Sequence, residues 1–299
     1  MQGTDAAARP RRSMLIVPAG RERPVEKAFE TEADILMLDL DDGVVFTDEH
    51  KREARERVAR AVEANRGARQ EVVVRTNALD TPWWEEDVQM SAAAGAAAIV
   101  PAKVETPADV VALDRCLLGC APNAVRIWPM IESTGAVMRV DEIATASVRV
   151  EALCFGVGDY TVSAQAEFHD GIEHLTYPLG RVLCAARAND LTAIAPAVVF
   201  SDVARLDLLE TQALFLRKLG YDGAMVVTPR HLETVNQVFT PPEDEVRWAV
   251  ELERAMEQAH AEGQSAVVVD GKLVEIVNLK LAQRTLAIAR ALDLVPAGS

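Results

Sequence analysis

The sequence predicts an α/β protein: a (β/α)8 TIM barrel followed by a C-terminal helix–hairpin–helix extension. Three observations predict it. Eight short apolar, β-branched runs recur along the chain, with amphipathic helical stretches between them. Strands that are apolar on both faces and alternate with helices indicate a parallel sheet covered by those helices. Charged residues then gather at the C-terminal end of consecutive runs, where a barrel of this kind carries its active site. An open doubly wound sheet is the competing architecture. Against it, no GxGxxG follows the first strand, and eight units is the number that closes a barrel.

The first strand, Met14–Val17, runs into Pro18-Ala19-Gly20-Arg21, and a helix over Pro24–Thr31 follows. The second, Ile35–Leu40, ends in Asp39-Leu40-Asp41-Asp42-Gly43 ahead of a helix over Glu49–Ala64. The third, Val72–Thr76, delivers Arg75 and Asn77 and is followed by Trp84–Ala94. The fourth, Ala97–Pro101, leads to Lys103, Glu105 and the helix Pro107–Leu118. The fifth, Val125–Ile131, delivers Glu132 before a helix over Ala136–Ala146. The sixth, Ala152–Phe155, passes through Gly156-Val157-Gly158 to Asp159, the glycines permitting a tight turn, with a helix at Leu179–Asn189. The seventh, Ala193–Phe200, offers Ser201 or Asp202 before Ala204–Leu219, and the eighth, Ala224–Val227, offers Thr228.

From Thr240 the pattern changes. Thr240-Pro241-Pro242-Glu243 starts a helix over Asp244–His260. Ser265–Val269 and Leu273–Val277 form a hairpin turned at Asp270-Gly271-Lys272, and a last helix covers Asn278–Leu292. Residues 240–299 are too few to stand alone, so they are expected to pack on the barrel, 12–239, or on an adjacent subunit. Residues 1–11 read as a flexible, solvated tail.

The 299 residues carry 31 Lys+Arg against 46 Asp+Glu, a formal net charge of −15. That field repels phosphate and argues against nucleic-acid or anionic-membrane partners. No apolar run approaches the roughly 20 residues of a membrane span, and nothing reads as a secretory signal, so a cytoplasmic protein is expected. Cys116, Cys120, Cys154 and Cys184 form no CxxC pair and read as buried, reduced thiols.

Among the strand-end groups, Glu132 and Asp159 form the sharpest pair. Carboxylates from adjacent strand ends suit Mg2+, which takes a few protein oxygens and completes its shell with water and substrate. The five histidines include no HxxxH or HxH pair for zinc. Asp41 and Asp42 are either a solvated turn or a site for metal-coordinated water or a base. Arg75 is either a clamp for a carboxylate or enolate or the partner of a nearby acid. Lys103 fits an electrostatic or structural role better than a Schiff-base nucleophile, because nothing around it in sequence would depress its pKa.

In order along the chain, Arg12–Pro18, Leu38–Val44, Arg75-Thr76-Asn77, Pro101–Glu105, Ile131-Glu132, Phe155–Asp159 and Asp270-Gly271-Lys272 resemble the citrate lyase β-subunit-like family of the HpcH/HpaI aldolase superfamily. The resemblance spans about Arg12 to Ala289. It implies a Mg2+-dependent carbon–carbon lyase on a TIM barrel, assembled as a homotrimer or hexamer, that cleaves or forms β-hydroxyacyl thioesters such as malyl-CoA or citramalyl-CoA. It also implies roles: Glu132 and Asp159 as metal ligands, and Arg75 as substrate binder and enolate stabiliser. Asp41 and Asp42 would hold metal-bound water. Glu275 falls where CoA-dependent members place an aspartate, the acid contributed by an adjacent subunit. Arg21, with Arg23 and Lys27, stands where basic residues could meet CoA phosphates or simply lie on an exposed helix face. The sequence departs from the family pattern at Ala19, Ala195, Thr228, His231 and Glu275. Open beside the lyase reading are an aldolase acting on free hydroxy acids, a thioester hydrolase, and a non-catalytic barrel subunit of a complex.

Overall fold

Side chains alternate across a strand with a period of two, so each strand of a covered parallel sheet presents one apolar series to each side. A computed structural model of the chain, describing residues 9–121, 125–197 and 202–295, shows this arrangement. It divides into two units, Arg11–Phe239 and a smaller one from Thr240 onward.

In the larger unit the strands are β1 (Ser13–Pro18), β2 (Ile35–Asp39), β3 (Glu71–Thr76), β4 (Ala98–Pro101), β5 (Arg126–Ile127), β6 (Met130–Ile131), β7 (Ala152–Phe155), β8 (Thr192–Pro196) and β9 (Gly223–Val226). All pairings are parallel, in the order β5-β4-β3-β2-β1-β9-β8-β7-β6. The order begins and ends on two halves of one stretch, the strand expected over Val125–Ile131. Pro129 splits it, having no N–H to give the ladder. On the first side Trp128 N donates to Ile99 O at 2.8 Å, and on the second Cys154 N donates to Pro129 O at 3.0 Å. The sheet is therefore curled and TIM-barrel-like.

The helices are α1 (Glu22–Ala28), α2 (Asp48–Ala64), α3 (Trp84–Ala94), α4 (Pro107–Cys120), α5 (Thr134–Met138), α6 (Val140–Ala144), α7 (Val157–Ser163), α8 (Thr176–Ala188), α9 (Leu206–Leu219) and α10 (Leu232–Phe239). The single helix expected over Ala136–Ala146 is two short ones broken at Arg139, whose φ of −108° and ψ of 10° leave the helical region. Helix α7 was not foreseen in the glycine-flanked turn, and α10 was not foreseen either. The end of the expected seventh strand, 198–200, and Ser201 lie outside the described residues.

Two apolar layers follow from the alternation. Leu36, Leu38, Val74, Ile99 and Leu153 pack outward against the helices. Met14, Ile35, Met37, Val73, Val100, Met130, Cys154 and Met225 fill the interior around the fully buried Trp128. Ala195 belongs to the outer layer, not the interior. Of the four cysteines only Cys154 is buried; Cys116 is half-buried, and Cys120 and Cys184 are exposed, which corrects the expectation of four buried thiols.

Most of the expected tail, residues 1–8, lies outside the described residues, but its last residue is fixed. Arg11 bonds to Glu71 at 2.8 Å through both Nε and Nη2, to Glu151 at 3.0 Å and to Thr192 at 3.0 Å. Its guanidinium lies 4.8 Å from the centroid of the Trp128 ring. One planar fork thus ties together the N-terminal ends of β3, β7 and β8.

In the smaller unit, α11 (Glu243–Ala261), β10 (Ala266–Val269), β11 (Lys272–Glu275) and α12 (Ile276–Ala291) follow in order. Leu252 and Met256 meet Leu279, Ala282 and Leu286 beneath Val269 and Val274. The strands are antiparallel, and Asp270 (φ 48°) and Gly271 (φ 73°) both take the left-handed conformation that a two-residue hairpin loop needs.

Removing the Arg11 fork strands two carboxylates at the base of the sheet. Arg11→Ala is expected to cost about 3 kcal/mol and lower Tm by roughly 6 to 10 °C, with Arg11→Lys recovering only part. An unchanged Tm in thermal denaturation would show that the fork is incidental.

Candidate active site

The interior series end in polar groups at the C-terminal ends of the strands. Ile35 and Met37 continue to Asp39, and Val73 continues to Arg75. Asp39 and Arg75 are register neighbours in the β2–β3 ladder. Their side chains meet as a bidentate pair, Arg75 Nε to Asp39 Oδ1 at 2.7 Å and Nη2 to Oδ2 at 2.8 Å. Asp39 also accepts from the backbone N–H groups of Asp41 at 3.0 Å and Gly43 at 2.9 Å, so it shapes the turn that presents the acidic doublet. Burial opposes the charge on Arg75, but Asp39, then Glu132 and Asp41, outweigh it and hold the guanidinium firmly cationic.

The next two strands supply the opposite wall. Met130 and Cys154 are register neighbours, so two residues further on Glu132 faces Gly156. A Cβ at Gly156 would stand 2.4 Å from Glu132 Oε2, so only glycine leaves room for that carboxylate. Glu132 is 3% exposed, and its Oε1 accepts the backbone N–H of Lys103 at 2.6 Å. Lys103 adopts φ 53°, an uncommon conformation for a residue with a Cβ, which turns its N–H toward Glu132. Its ammonium reaches the other way, to Asp41 at 3.0 Å and Asp42 at 3.3 Å. Asp159 lies in the first turn of α7, close enough to Glu132 for the two charges to repel.

Burial dominates the electrostatics. It pushes the Glu132 carboxyl up to about 8, with Arg75 and the Lys103 N–H opposing and Asp159 adding to the rise. Burial and then Asp42 raise Asp41, against Lys103. For Lys103 burial is outweighed by Asp41, Asp42 and Asp159, so its pKa rises. A lysine held as ammonium by two carboxylates is no Schiff-base nucleophile. A cleft of about 460 Å³ opens over Lys103, Glu132 and Asp159, lined among others by Asp80, Glu105 and Ser163.

The structure thus brings together Asp41, Asp42, Arg75, Lys103, Glu132 and Asp159. Arg21 is exposed, at the N-cap position of α1. Glu275, in the smaller unit, is exposed and caps α12 in a reciprocal box with Asn278. Thr228 opens a short 3-10 turn, and His231 is buried with Nε2 2.8 Å from Val203 O. None of Ala195, Thr228 and His231 lines the cleft. Sequence reasoning missed Asp39, although its two-residue spacing from Ile35 and Met37 marks it as interior. It also missed Lys51, a fully buried lysine under the Asp41 loop.

Residues 12–229 match the model of the HpcH/HpaI aldolase/citrate lyase family. A (3S)-malyl-CoA thioesterase of Cereibacter sphaeroides is 33% identical over 285 residues, covering 95% of this chain and 96% of that protein. An L-malyl-CoA/β-methylmalyl-CoA lyase of the same species is 31% identical, with coverages of 92% and 93%. Among solved structures, the CitE protein of Mycobacterium tuberculosis in complex with magnesium, acetoacetate and coenzyme A superposes with a TM-score of 0.75 at 24% identity. That likeness covers 95% of this chain and 99% of that one.

The raised Glu132 carboxyl has a measurable consequence for stability. Its folded pKa lies above the unfolded one, so its contribution is fully present below the ordinary glutamate range and is lost as pH rises toward about 8. In EDTA, Glu132→Gln and wild type should have similar Tm at pH 5. The variant should become progressively the more stable from about pH 5 to about pH 8, with the difference levelling off above that. A Tm difference that is flat with pH would refute the buried, unneutralised carboxylate.

Proposed function

The chain belongs to the HpcH/HpaI aldolase/citrate lyase family, and from that premise we propose that it is a Mg2+-dependent carbon–carbon lyase acting on a β-hydroxyacyl-CoA thioester such as malyl-CoA or citramalyl-CoA. The observation that carries the reading is the charge count at the strand ends. Among the described residues, Asp39, Asp41, Asp42, Glu132 and Asp159 gather there with Arg75, Lys103 and Lys51 as neighbouring cations, and Asp80 and Glu105 add to the acids of the cleft.

The donors present fit a divalent ion. Glu132 Oε2 and Asp159 are hard oxygen donors, and Asp41 Oδ1 is buried without a hydrogen-bond partner. Among the described residues no three His, Cys, Asp or Glu side chains converge as a complete ligand set. Two carboxylates completed by water and substrate oxygens suit the octahedral habit of Mg2+. When bound, the ion supplies Lewis-acid charge at the oxygens of the substrate's ketoacid half.

The residues then have distinct tasks. The β-hydroxyl loses its proton as the bond to the α-carbon breaks, glyoxylate or pyruvate departs, and the electron pair remains as a thioester enolate. Arg75, oriented by Asp39, donates to the enolate oxygen. Asp41 and Asp42, held by Lys103, keep the water through which the hydroxyl proton leaves. Glu275, reaching the site from an adjacent subunit of a homotrimer or hexamer, returns a proton to the enolate carbon. In reverse the same groups run a Claisen-type condensation. Arg21, exposed at the start of α1, is the candidate in this reading for contact with CoA phosphate. No described helix is long and apolar enough to cross a membrane.

Thioester hydrolysis is the second reading, favoured by the relative at 33% identity that is named a thioesterase. There water attacks the thioester carbonyl and the CoA thiol leaves, with no carbon–carbon bond broken.

Incubation with malyl-CoA, citramalyl-CoA and the free acids, in Mg2+ or EDTA, separates these readings. The lyase releases glyoxylate or pyruvate with an acyl-CoA, whereas the hydrolase releases free thiol and a hydroxy acid. EDTA is expected to abolish turnover. Glu132→Gln should lower it by at least about 100-fold, and Arg75→Lys by about 10²- to 10³-fold. Full activity of Glu132→Gln, or turnover of free acids alone, would overturn the proposal.

A further inference from the structure

Lys51 lies in the second turn of α2 and is fully buried. A buried ammonium is costly unless its donors are satisfied and its charge is met. Its Nζ donates to two backbone carbonyls, Leu40 O at 2.7 Å and Asp41 O at 2.8 Å. It also lies 4.0 Å from the centroid of the Phe46 ring and 5.3 Å from that of Trp83, within cation–π range. The two rings meet edge to face at 5.8 Å, and Trp83 Nε1 is fixed to Asp48 at 2.7 Å. The ammonium therefore closes the whole loop from Leu40 to Lys51 back on its own strand end. Burial lowers the Lys51 pKa, while Asp41, Asp87, Asp39 and Asp42 act to keep it charged.

The two carbonyls bracket the Leu40–Asp41 step, so holding them fixes the peptide planes on either side of Asp41. The Asp41 carboxylate then reaches Lys103, and the Lys103 N–H holds Glu132 Oε1. A continuous chain of contacts runs from a helix beneath the sheet end to the carboxylate at the centre of the cleft. Lys51 lines no part of that cleft.

We propose that Lys51 is a positioning residue for the reaction: its ammonium, bound to Leu40 O and Asp41 O and covered by Phe46 and Trp83, sets the backbone that aims Asp41 and Asp42 at Lys103. The inference rests on the reading of this strand end as the reaction site. Two features of the geometry define its signature. The substrate is not touched, so binding is spared, and hydrogen bonding to carbonyls is the active element, so a neutral donor replaces part of it.

The test compares Lys51→Met and Lys51→Gln with wild type by steady-state kinetics and by hydrogen–deuterium exchange of residues 40–47. Lys51→Met should exchange faster in that segment and lose about 10- to 100-fold in kcat, with KM changed less than about threefold. Lys51→Gln, whose amide keeps two N–H donors at a slightly shorter reach, should recover part of the rate. If Lys51→Met does not fold, Phe46→Leu, altering an exposed ring, should still lower kcat by about two- to fivefold through loss of the cation–π cover. Unchanged exchange in 40–47, or kcat within twofold of wild type, would overturn the proposal, as would a loss confined to KM. If wild type turns over no thioester, the functional reading fails, and the exchange of 40–47 still decides whether Lys51 holds the loop.

Discussion

Charge neutrality at the C-terminal end of the sheet is the constraint on which the site depends. Five carboxylates cluster there, and the interior dielectric makes each unpaired one costly. Arg75 neutralises Asp39 through a two-bond fork, and Lys103 bridges Asp41 and Asp42. Lys51 meets the doublet from below through the carbonyls of Leu40 and Asp41. Glu132 is left over. It is buried, it faces a glycine that leaves it room, and Arg75 and the Lys103 N–H only partly offset that burial and the repulsion of Asp159. Such a group either keeps a proton, as its raised pKa indicates, or meets a cation. The same shortfall that destabilises the ionised carboxylate is therefore the driving force for binding a divalent ion.

The two-residue period of the strands converts this electrostatic need into a fold requirement. Interior series that are apolar for two or three steps must end in Asp39, Arg75 and Glu132 at one level, and a register shift of one residue would turn all three into the helix layer. Parallel pairing fixes that level, because Asp39 stands opposite Arg75 and the Met130–Cys154 step sets Glu132 against Gly156. At the other end the Arg11 fork joins β3, β7 and β8. The ladder and the site are thus held by the same registers.

Much of this was legible in the sequence because it is written in short-range pattern. The strand positions, most helices and the charged residues after each strand follow from periodicity and position alone. What escaped depends on contacts far apart in sequence or on single backbone groups. Asp39 was hidden behind the more conspicuous doublet at 41 and 42. Lys51 looked like one of many charges on an amphipathic helix, and nothing local says that its ammonium is fully buried. The break at Pro129 needs only its missing N–H, yet an apolar run masks it. Arg11 seemed part of a tail because its partners lie 60, 140 and 181 residues away.

The choice between carbon–carbon cleavage and thioester hydrolysis turns on a proton rather than on the ion. Cleavage leaves a carbanion that must be protonated; hydrolysis needs a water that must be oriented and deprotonated. The lyase proposed above assigns that proton to Glu275, whose local geometry is that of a helix cap. Its carboxylate accepts from the Asn278 N–H as the cap of α12. The cap occupies one carboxyl oxygen, so the proton transfer proposed for Glu275 falls to the other. An aspartate at the same place, one methylene shorter, has less reach beyond the cap. Ala195, Thr228 and His231 lie outside the cleft and leave its charge balance untouched.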